Sequence, residues 1–139
     1  MRIDIQKLEY KINYIKQNLN KLYDLAKLDE KDFIKNYKNY DSAKYNLQVS
    51  IEALIDIGNH LISRKQYRVP NSNADTFCIL HEEGIIPEER LSSYIAMAKF
   101  RNMVVHLYED IDEIEIYRIL QDNLGDFELF IKLITEKFL

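Results

Sequence analysis

The chain has 139 residues, of which 47% are hydrophobic and 30% are charged, and this balance is typical of a soluble globular protein with one core. Three glycines and two prolines give it few natural breaks, which favours long helices over a strand-and-turn architecture. The net charge of −4 excludes a surface that is basic throughout, so any contact with nucleic acid must be local.

The cysteine content and the N-terminal sequence indicate the expected cellular setting. The single cysteine, Cys78, forms no disulfide within the chain and gives no zinc-binding spacing, so we expect a reducing cytoplasm. The first residues lack the apolar core of a signal peptide, and no apolar run approaches the roughly 20 residues that cross a bilayer. We therefore expect a cytoplasmic protein without a membrane contact.

The first half of the chain predicts two long helices. Apolar residues recur three and four positions apart between Ile5 and Ala26, which indicates one buried helical face. Asp29 is a predicted N-cap for a short segment around Phe33. A second long helix is predicted from about Asp41 to Gln66.

The second half predicts shorter helices that are separated by clear turns. The run from Val69 to Asn73 contains a proline and three polar residues, which predicts a loop. A short helix follows and ends near Gly84, and Pro87 opens the next one. Helical spacing continues from Asp112 to Phe138. The chain is thus predicted to be a single all-α domain over residues 1–139, an up-and-down bundle of about four or five helices.

A group of polar residues interrupts an apolar helical segment and is the main candidate for chemistry. Asn102 and His106 lie one turn apart, and Arg101 and Tyr108 lie two turns apart, so the four form a polar stripe. Histidine can take and give a proton near neutral pH, and the arginine fork matches phosphate oxygens. Together they suit cleavage of a phosphodiester. RNA supplies its own nucleophile, the 2′-hydroxyl, and no spacing typical of metal ligands occurs, so a metal-free site is expected.

The same residues also have a purely structural interpretation. Arg101 and His106 could pair with Asp110 or Asp112, or with Glu52 and Asp56 on the long second helix. Short motifs often match by chance, so spacing alone favours this interpretation.

The wider sequence resembles a known family. Arg101, His106 and Tyr108 match the Arg-x4-His-x-Tyr motif of HEPN-domain toxins, and the surrounding residues are similar to the HepT-like branch. The resemblance covers about residues 44–130, whereas the first 43 residues match less distinctly. It includes the segments 46–60, 68–70, 77–80, 84–87 and 117–127.

The resemblance implies a fold, an activity and a partner. The family fold is a helical bundle that forms a C2 dimer, with the motif in a cleft between the subunits. The implied activity is that of a metal-independent endoribonuclease acting on tRNA or mRNA, as the toxin of a type II or type VII-like toxin–antitoxin module. The implied partner is a minimal nucleotidyltransferase (MNT) antitoxin, which transfers AMP from ATP to the motif tyrosine. ATP and Mg²⁺ belong to that partner, and the chain itself needs no cofactor.

The resemblance also implies a role for each motif residue. Arg101 binds phosphate and stabilises charge, His106 is the general acid or base, and Tyr108 is the position that receives AMP. Asn102 orients the histidine or the RNA. Glu52 and Asp56 on the facing helix either orient Arg101 and His106 or form structural ion pairs.

Two alternatives to the toxin hypothesis stay open on the sequence. The chain could be a non-catalytic nucleotide-binding or accessory subunit of a nucleotidyltransferase. It could also be a helical scaffold dimer whose polar stripe sets pairing specificity.

Several other residues have both a functional and a structural interpretation. His60 is expected on a helix surface, and His81 and Cys78 are expected in the packing. The basic segment 64–68 is a candidate for distal RNA contact or an ordinary solvated helix end. Six tyrosines could stack on bases, although in helices such residues more often lie between core and solvent: Tyr10, Tyr14, Tyr37, Tyr40, Tyr45 and Tyr67.

Overall fold

The computed structural model describes residues 2–106 and 111–139, and every regular element within these ranges is an α-helix. The all-α prediction is therefore confirmed. The helices are α1 (Ile5–Ala26), α2 (Glu30–Lys35), α3 (Tyr37–Lys65), α4 (Asn73–Glu82), α5 (Glu88–His106), α6 (Glu113–Asp122) and α7 (Leu124–Phe138).

The helix α3 is the centre of the bundle. It has 29 residues and packs against α1, α2, α4, α5 and α6. It begins four residues before the predicted Asp41, because the Asn36 side chain accepts a hydrogen bond from the Lys38 N–H and caps the helix there. It ends where Gln66 adopts a left-handed conformation, with φ 58°.

The helix α1 lies along α3 and buries most of the apolar face that its sequence predicts, although Ile5 at its start is 48% exposed. The Asp4 carboxylate accepts a hydrogen bond from the Lys7 N–H, which fixes the first turn. The buried apolar residues of α1 are Leu8, Ile12, Ile15, Leu19 and Leu22.

The described part of the chain contains seven helices, more than the four or five that the sequence predicts. Asp29 caps α2 as predicted, but α2 is a separate element. The predicted final helix from Asp112 to Phe138 is two helices, α6 and α7, divided at Asn123. The apolar spacing continues across Asn123, so hydrophobic periodicity alone does not reveal the break.

Aromatic packing fixes α5 against α4 and α7. The rings of Phe77, Tyr94 and Phe130 lie in mutual contact, with centroids 5.5 to 6.2 Å apart. The Tyr94 hydroxyl donates a hydrogen bond of 2.7 Å to the Asp126 carbonyl oxygen, and burial raises the pKa of this phenol. The helix that carries the polar motif is thereby anchored in the core.

The helices α3 and α4 approach closely at Gly58. A Cβ atom at this position would lie 2.7 Å from Thr76 Cγ2. Thr76 is held in place, because its hydroxyl donates a hydrogen bond of 2.8 Å to Asn59 Oδ1. The absence of a side chain at Gly58 therefore sets the distance between the two helices.

The expectation that His60 lies on a helix surface is wrong. His60 is only 7% exposed, and its Nε2 accepts a hydrogen bond of 3.0 Å from the Asp4 backbone N–H. This bond connects α3 to the start of α1 and requires an unprotonated Nε2. Burial lowers the pKa of His60, and the charges of Lys7 and Arg64 add to this effect, against the opposing charge of Asp4.

No helix within residues 2–106 and 111–139 is both long enough and apolar enough to cross a membrane.

We predict that Gly58→Ala destabilises the protein by about 1 kcal/mol. An added methyl group in a packed interior costs roughly 1–3 kcal/mol, and the better helix propensity of alanine offsets about 1 kcal/mol of this. Urea denaturation measures the difference. Gly125→Ala is the matched control, because a Cβ atom there meets no atom within 4 Å, and it should leave stability unchanged or raise it. Equal stability of Gly58→Ala and wild type would contradict the close approach.

We predict that His60 makes the protein more stable as the pH rises toward 6.5. Its pKa in the folded state is below the ordinary value of 6.5, so the unfolded chain binds more protons in the interval between the two values. The stabilisation is complete above that interval and is lost as the pH falls through the folded-state pKa. Urea titrations between pH 5 and 8 should show a smaller pH slope for His60→Gln than for wild type. Identical slopes would contradict a lowered pKa of His60 in the folded state.

Candidate functional site

The candidate site is built around Arg101, in the last turns of α5. Its Nε donates a hydrogen bond of 2.9 Å to Glu52 Oε2 on α3. The two side chains are 24% and 31% exposed, so the ion pair lies at the edge of the core and is accessible to solvent. The pair connects the motif helix to the central helix.

Neighbouring amides extend this pair into a network across three helices. On α3, Gln48 Nε2 lies 3.4 Å from Glu52 Oε2. On α5, Arg101 Nη1 donates to Asn102 Oδ1 at 3.3 Å. Asn73, the first residue of α4, donates from Nδ2 to the same oxygen at 3.2 Å. The motif arginine and asparagine are thus held from both α3 and α4.

The network orients the guanidinium and leaves part of it for a ligand. The hydrogen bonds that the structure gives Arg101 use Nε and Nη1. Nη2 donates to no residue within 2–106 and 111–139, so its two N–H groups are available to an anion. A partly exposed, oriented arginine of this kind suits the recognition of a phosphate group.

His106 is the last residue of α5 and its side chain is exposed. The same helix therefore presents both motif residues near its C-terminal end. Tyr108 lies outside the described residues, as does Asp110, which the structural interpretation offered as a partner.

The two carboxylates that the sequence assigned to the facing helix have different partners. Glu52 contacts Arg101, a contact that both the orienting and the structural interpretation predict. Asp56, one turn further along α3, accepts a hydrogen bond of 2.9 Å from Lys11 Nζ on α1. The described contacts of Asp56 are those of the structural ion pair that the sequence left open as an alternative.

Sequence reasoning missed Gln48 and Asn73. Gln48 lies four residues before Glu52, and this i,i+4 spacing is a signal that could have indicated the contact. Asn73 was expected within a loop, and nothing in its sequence context indicates a contact with a residue 29 positions away.

The basic segment 64–68 uses its cations in contacts within the chain. Arg68 forms hydrogen bonds with Asp75 and Glu82, and the Arg68 guanidinium lowers the pKa of Asp75 to about 2. Lys65 Nζ lies 5.8 Å from the centroid of the Phe138 ring, and Arg64 donates to a backbone carbonyl. These contacts favour the interpretation of an ordinary helix end over that of an RNA contact.

The other singled-out residues take structural positions. His81 is partly buried, with Nδ1 2.9 Å from the Ile86 carbonyl oxygen, and Cys78 is partly buried. Among residues 2–106 and 111–139, no group of three or more His, Cys, Asp or Glu is placed to hold a metal ion. The expected independence from metals stays a prediction.

Comparison with known proteins gives matches over most of the chain. Residues 15–134 match the family described as Ribonuclease HepT-like. The mRNA nuclease HepT of Shewanella oneidensis is 33% identical over 106 residues, which cover 76% of this chain and 80% of that protein. The tRNA nuclease HepT of Aphanizomenon flos-aquae is 23% identical over 128 residues, 92% of this chain and 87% of that protein.

Solved structures match at the level of the whole fold. A toxin–antitoxin complex with AMP-PNP contains a chain with a TM-score of 0.88 and 29% identity, covering 95% of this chain and 99% of that one. A tri-AMPylated HEPN toxin of Shewanella oneidensis in complex with an MNT antitoxin has a TM-score of 0.87 and 30% identity, covering 94% and 98%.

The fold and the sequence therefore lead to the same assignment. The arrangement of helices that brings Glu52 to Arg101 aligns with these solved chains over nearly their whole length. The sequence match spans nearly all of the described helices. The chain belongs to the Ribonuclease HepT-like family of HEPN proteins.

Proposed function

We propose that this chain is the toxin of a toxin–antitoxin pair and that it cleaves RNA without a metal ion. The observation that carries the proposal is the Arg101 guanidinium, which Glu52 and Asn102 orient in the last turns of the helix that ends at His106. The names of the family and of its relatives support a nuclease acting on mRNA or tRNA. Both substrates are cytoplasmic, so we place the protein in the cytoplasm.

The chemistry follows from the two motif side chains. The 2′-oxygen of RNA attacks the adjacent phosphorus, and the bond from phosphorus to the 5′-oxygen breaks. The products are a 2′,3′-cyclic phosphate and a free 5′-hydroxyl. His106 takes the proton from the 2′-hydroxyl or gives one to the leaving 5′-oxygen, and Arg101 stabilises the charge on the phosphoryl oxygens.

A C2 dimer would supply both proton transfers at once. One histidine cannot be base and acid at the same moment, whereas two symmetry-related copies of His106 in one cleft could divide the two roles. The resemblance to HEPN toxins implies such a dimer.

The proposed partner is an MNT-type nucleotidyltransferase that acts as the antitoxin. It would transfer AMP from ATP to the Tyr108 hydroxyl, forming a phosphodiester and releasing pyrophosphate, with ATP and Mg²⁺ bound by the partner. Solved relatives that are described as a tri-AMPylated toxin with an MNT antitoxin, and as a toxin–antitoxin complex with AMP-PNP, support this proposal. An added adenylyl group would bring negative charge and bulk close to Arg101 in sequence and would compete with RNA phosphate.

We predict that Arg101→Ala and His106→Ala each lower RNA cleavage by about 10²-fold or more, because loss of a charge-stabilising donor or of an acid–base group has effects of this size. The assay uses purified protein, EDTA and a single-stranded RNA. Arg118→Ala is the matched control, since Arg118 is exposed and pairs with Glu115 on its own helix, and it should cleave like wild type. Folding of each variant is checked by its urea midpoint.

Unchanged cleavage by both motif variants would overturn the proposed site. No cleavage by the wild-type protein, together with stable binding to a nucleotidyltransferase, would favour the alternative of a non-catalytic accessory subunit.

We predict that coexpression with the antitoxin adds whole adenylyl groups to the protein, and that Tyr108→Phe abolishes the addition because phenylalanine lacks the acceptor hydroxyl. Intact-mass spectrometry measures the change, and peptide mapping identifies the residue. Tyr117→Phe is the control, since the Tyr117 hydroxyl donates to the Leu28 carbonyl oxygen in the interior contact of α6. An unmodified mass in the presence of active antitoxin would indicate neutralisation by binding alone.

A further inference from the structure

A small open pocket between α1 and α3 begins one side chain away from Arg101. It has a volume of about 240 Å³ and is lined by Tyr10, Lys11, Tyr14, Val49, Glu52, Ala53 and Asp56. Glu52 belongs both to this pocket and to the site, because its Oε2 accepts the hydrogen bond from Arg101 Nε. A group bound in the pocket would therefore lie next to the residue that contacts phosphate.

The walls of the pocket suit a flat ring. Tyr10 and Tyr14 are four residues apart and share one face of α1. Tyr10 is 70% exposed, whereas Tyr14 packs partly against the core, so the second ring is held in place. Val49 and Ala53 add small apolar surface on the α3 side. Aromatic side chains of this kind stack on the bases of single-stranded RNA.

The charges of the pocket disfavour a phosphate group and favour an amino group. The lining contains two carboxylates and one ammonium, and Asp56 already engages that ammonium through Lys11 Nζ at 2.9 Å. Both hydrogen bonds that the structure gives Glu52 fall on Oε2. Carboxylate oxygens accept hydrogen bonds from exocyclic amino groups, as they do from the amine of cytosine.

We propose that this pocket binds the base of the nucleotide adjacent to the cleaved phosphodiester and selects a base with an exocyclic amino group over uracil. Tyr10 and Tyr14 stack on the ring, and Glu52 and Asp56 accept from its amino group. The inference rests on the proposed cleavage of RNA and adds to it a determinant of sequence preference.

The test uses oligodeoxynucleotides that each contain one ribonucleotide. Only the ribonucleotide has a 2′-hydroxyl, so the cleavage position is fixed while its base and that of its 3′ neighbour are varied. Wild type should cleave substrates with adenine, cytosine or guanine at one of these positions about tenfold faster than the matched substrates with uracil. Tyr10→Ala should lower cleavage about tenfold through lost stacking, and Tyr10→Phe should restore it.

Two further variants distinguish a loss of base selection from a general loss of cleavage activity. Asp56→Ala should reduce the preference over uracil by slowing cleavage of the substrates with an amino-bearing base. Tyr37→Ala is the matched control, because Tyr37 is an exposed tyrosine outside the pocket, and it should keep both rate and preference. Equal rates on all four bases, or a Tyr10→Ala variant like wild type, would overturn the pocket proposal and leave the proposed cleavage intact.

A binding measurement covers the case in which wild type cleaves none of these substrates and the proposed function fails. Ring signals of Tyr10, assigned by comparison with Tyr10→Phe, are followed by NMR during titration with CMP and, separately, UMP. Shifts at lower concentrations of CMP than of UMP would support a pocket selective for amino-bearing bases. Equal or absent shifts would overturn it.

Discussion

The central constraint of this structure is that α3 carries apolar residues around most of its circumference. A helix of that kind must be covered on most sides, and five other helices pack against it. One stripe stays polar or exposed along its length, at spacings of three and four residues. The stripe consists of Tyr45, Gln48, Glu52, Asp56, Asn59 and Ser63. The remaining helices can cover the apolar surface only by leaving this stripe at the edge of the bundle, and the candidate site forms there.

The ion pairs along the stripe orient the charged side chains and contribute little to the free energy of unfolding. Glu52 pairs with Arg101 and Asp56 with Lys11, so carboxylates one turn apart hold different helices. Pairs with this degree of exposure contribute about 0–1 kcal/mol each. Packing at Gly58 and around Tyr94 accounts for the placement of α4 and α5, and the ion pairs then set the directions of the charged groups.

The sequence predicts those features that depend on local pattern. Apolar spacing indicates α1 and α3, and Asp29, Gly84 and Pro87 mark helix boundaries because capping and turn chemistry act over a few residues. The sequence does not predict the break between α6 and α7 at Asn123, because the apolar spacing continues across it. The sequence also does not predict the burial of His60, because its hydrogen-bond partner is the N–H of Asp4, 56 residues away. For the site, the motif and Glu52 are predictable, whereas the choice between Glu52 and Asp56 as partner of Arg101 depends on how α1 and α5 dock on α3.

The location of the α1 tyrosines has a consequence for how the RNA target can change. Tyr10, Lys11 and Tyr14 precede residues 15–134, the range that the family model matches, whereas Glu52 and Arg101 lie well inside that range. None of the three contributes a hydrogen bond to Arg101 among the described contacts, which come from Glu52 and Asn102. Divergence at the start of α1 would then alter which RNA is attacked while the bond-breaking groups are inherited unchanged.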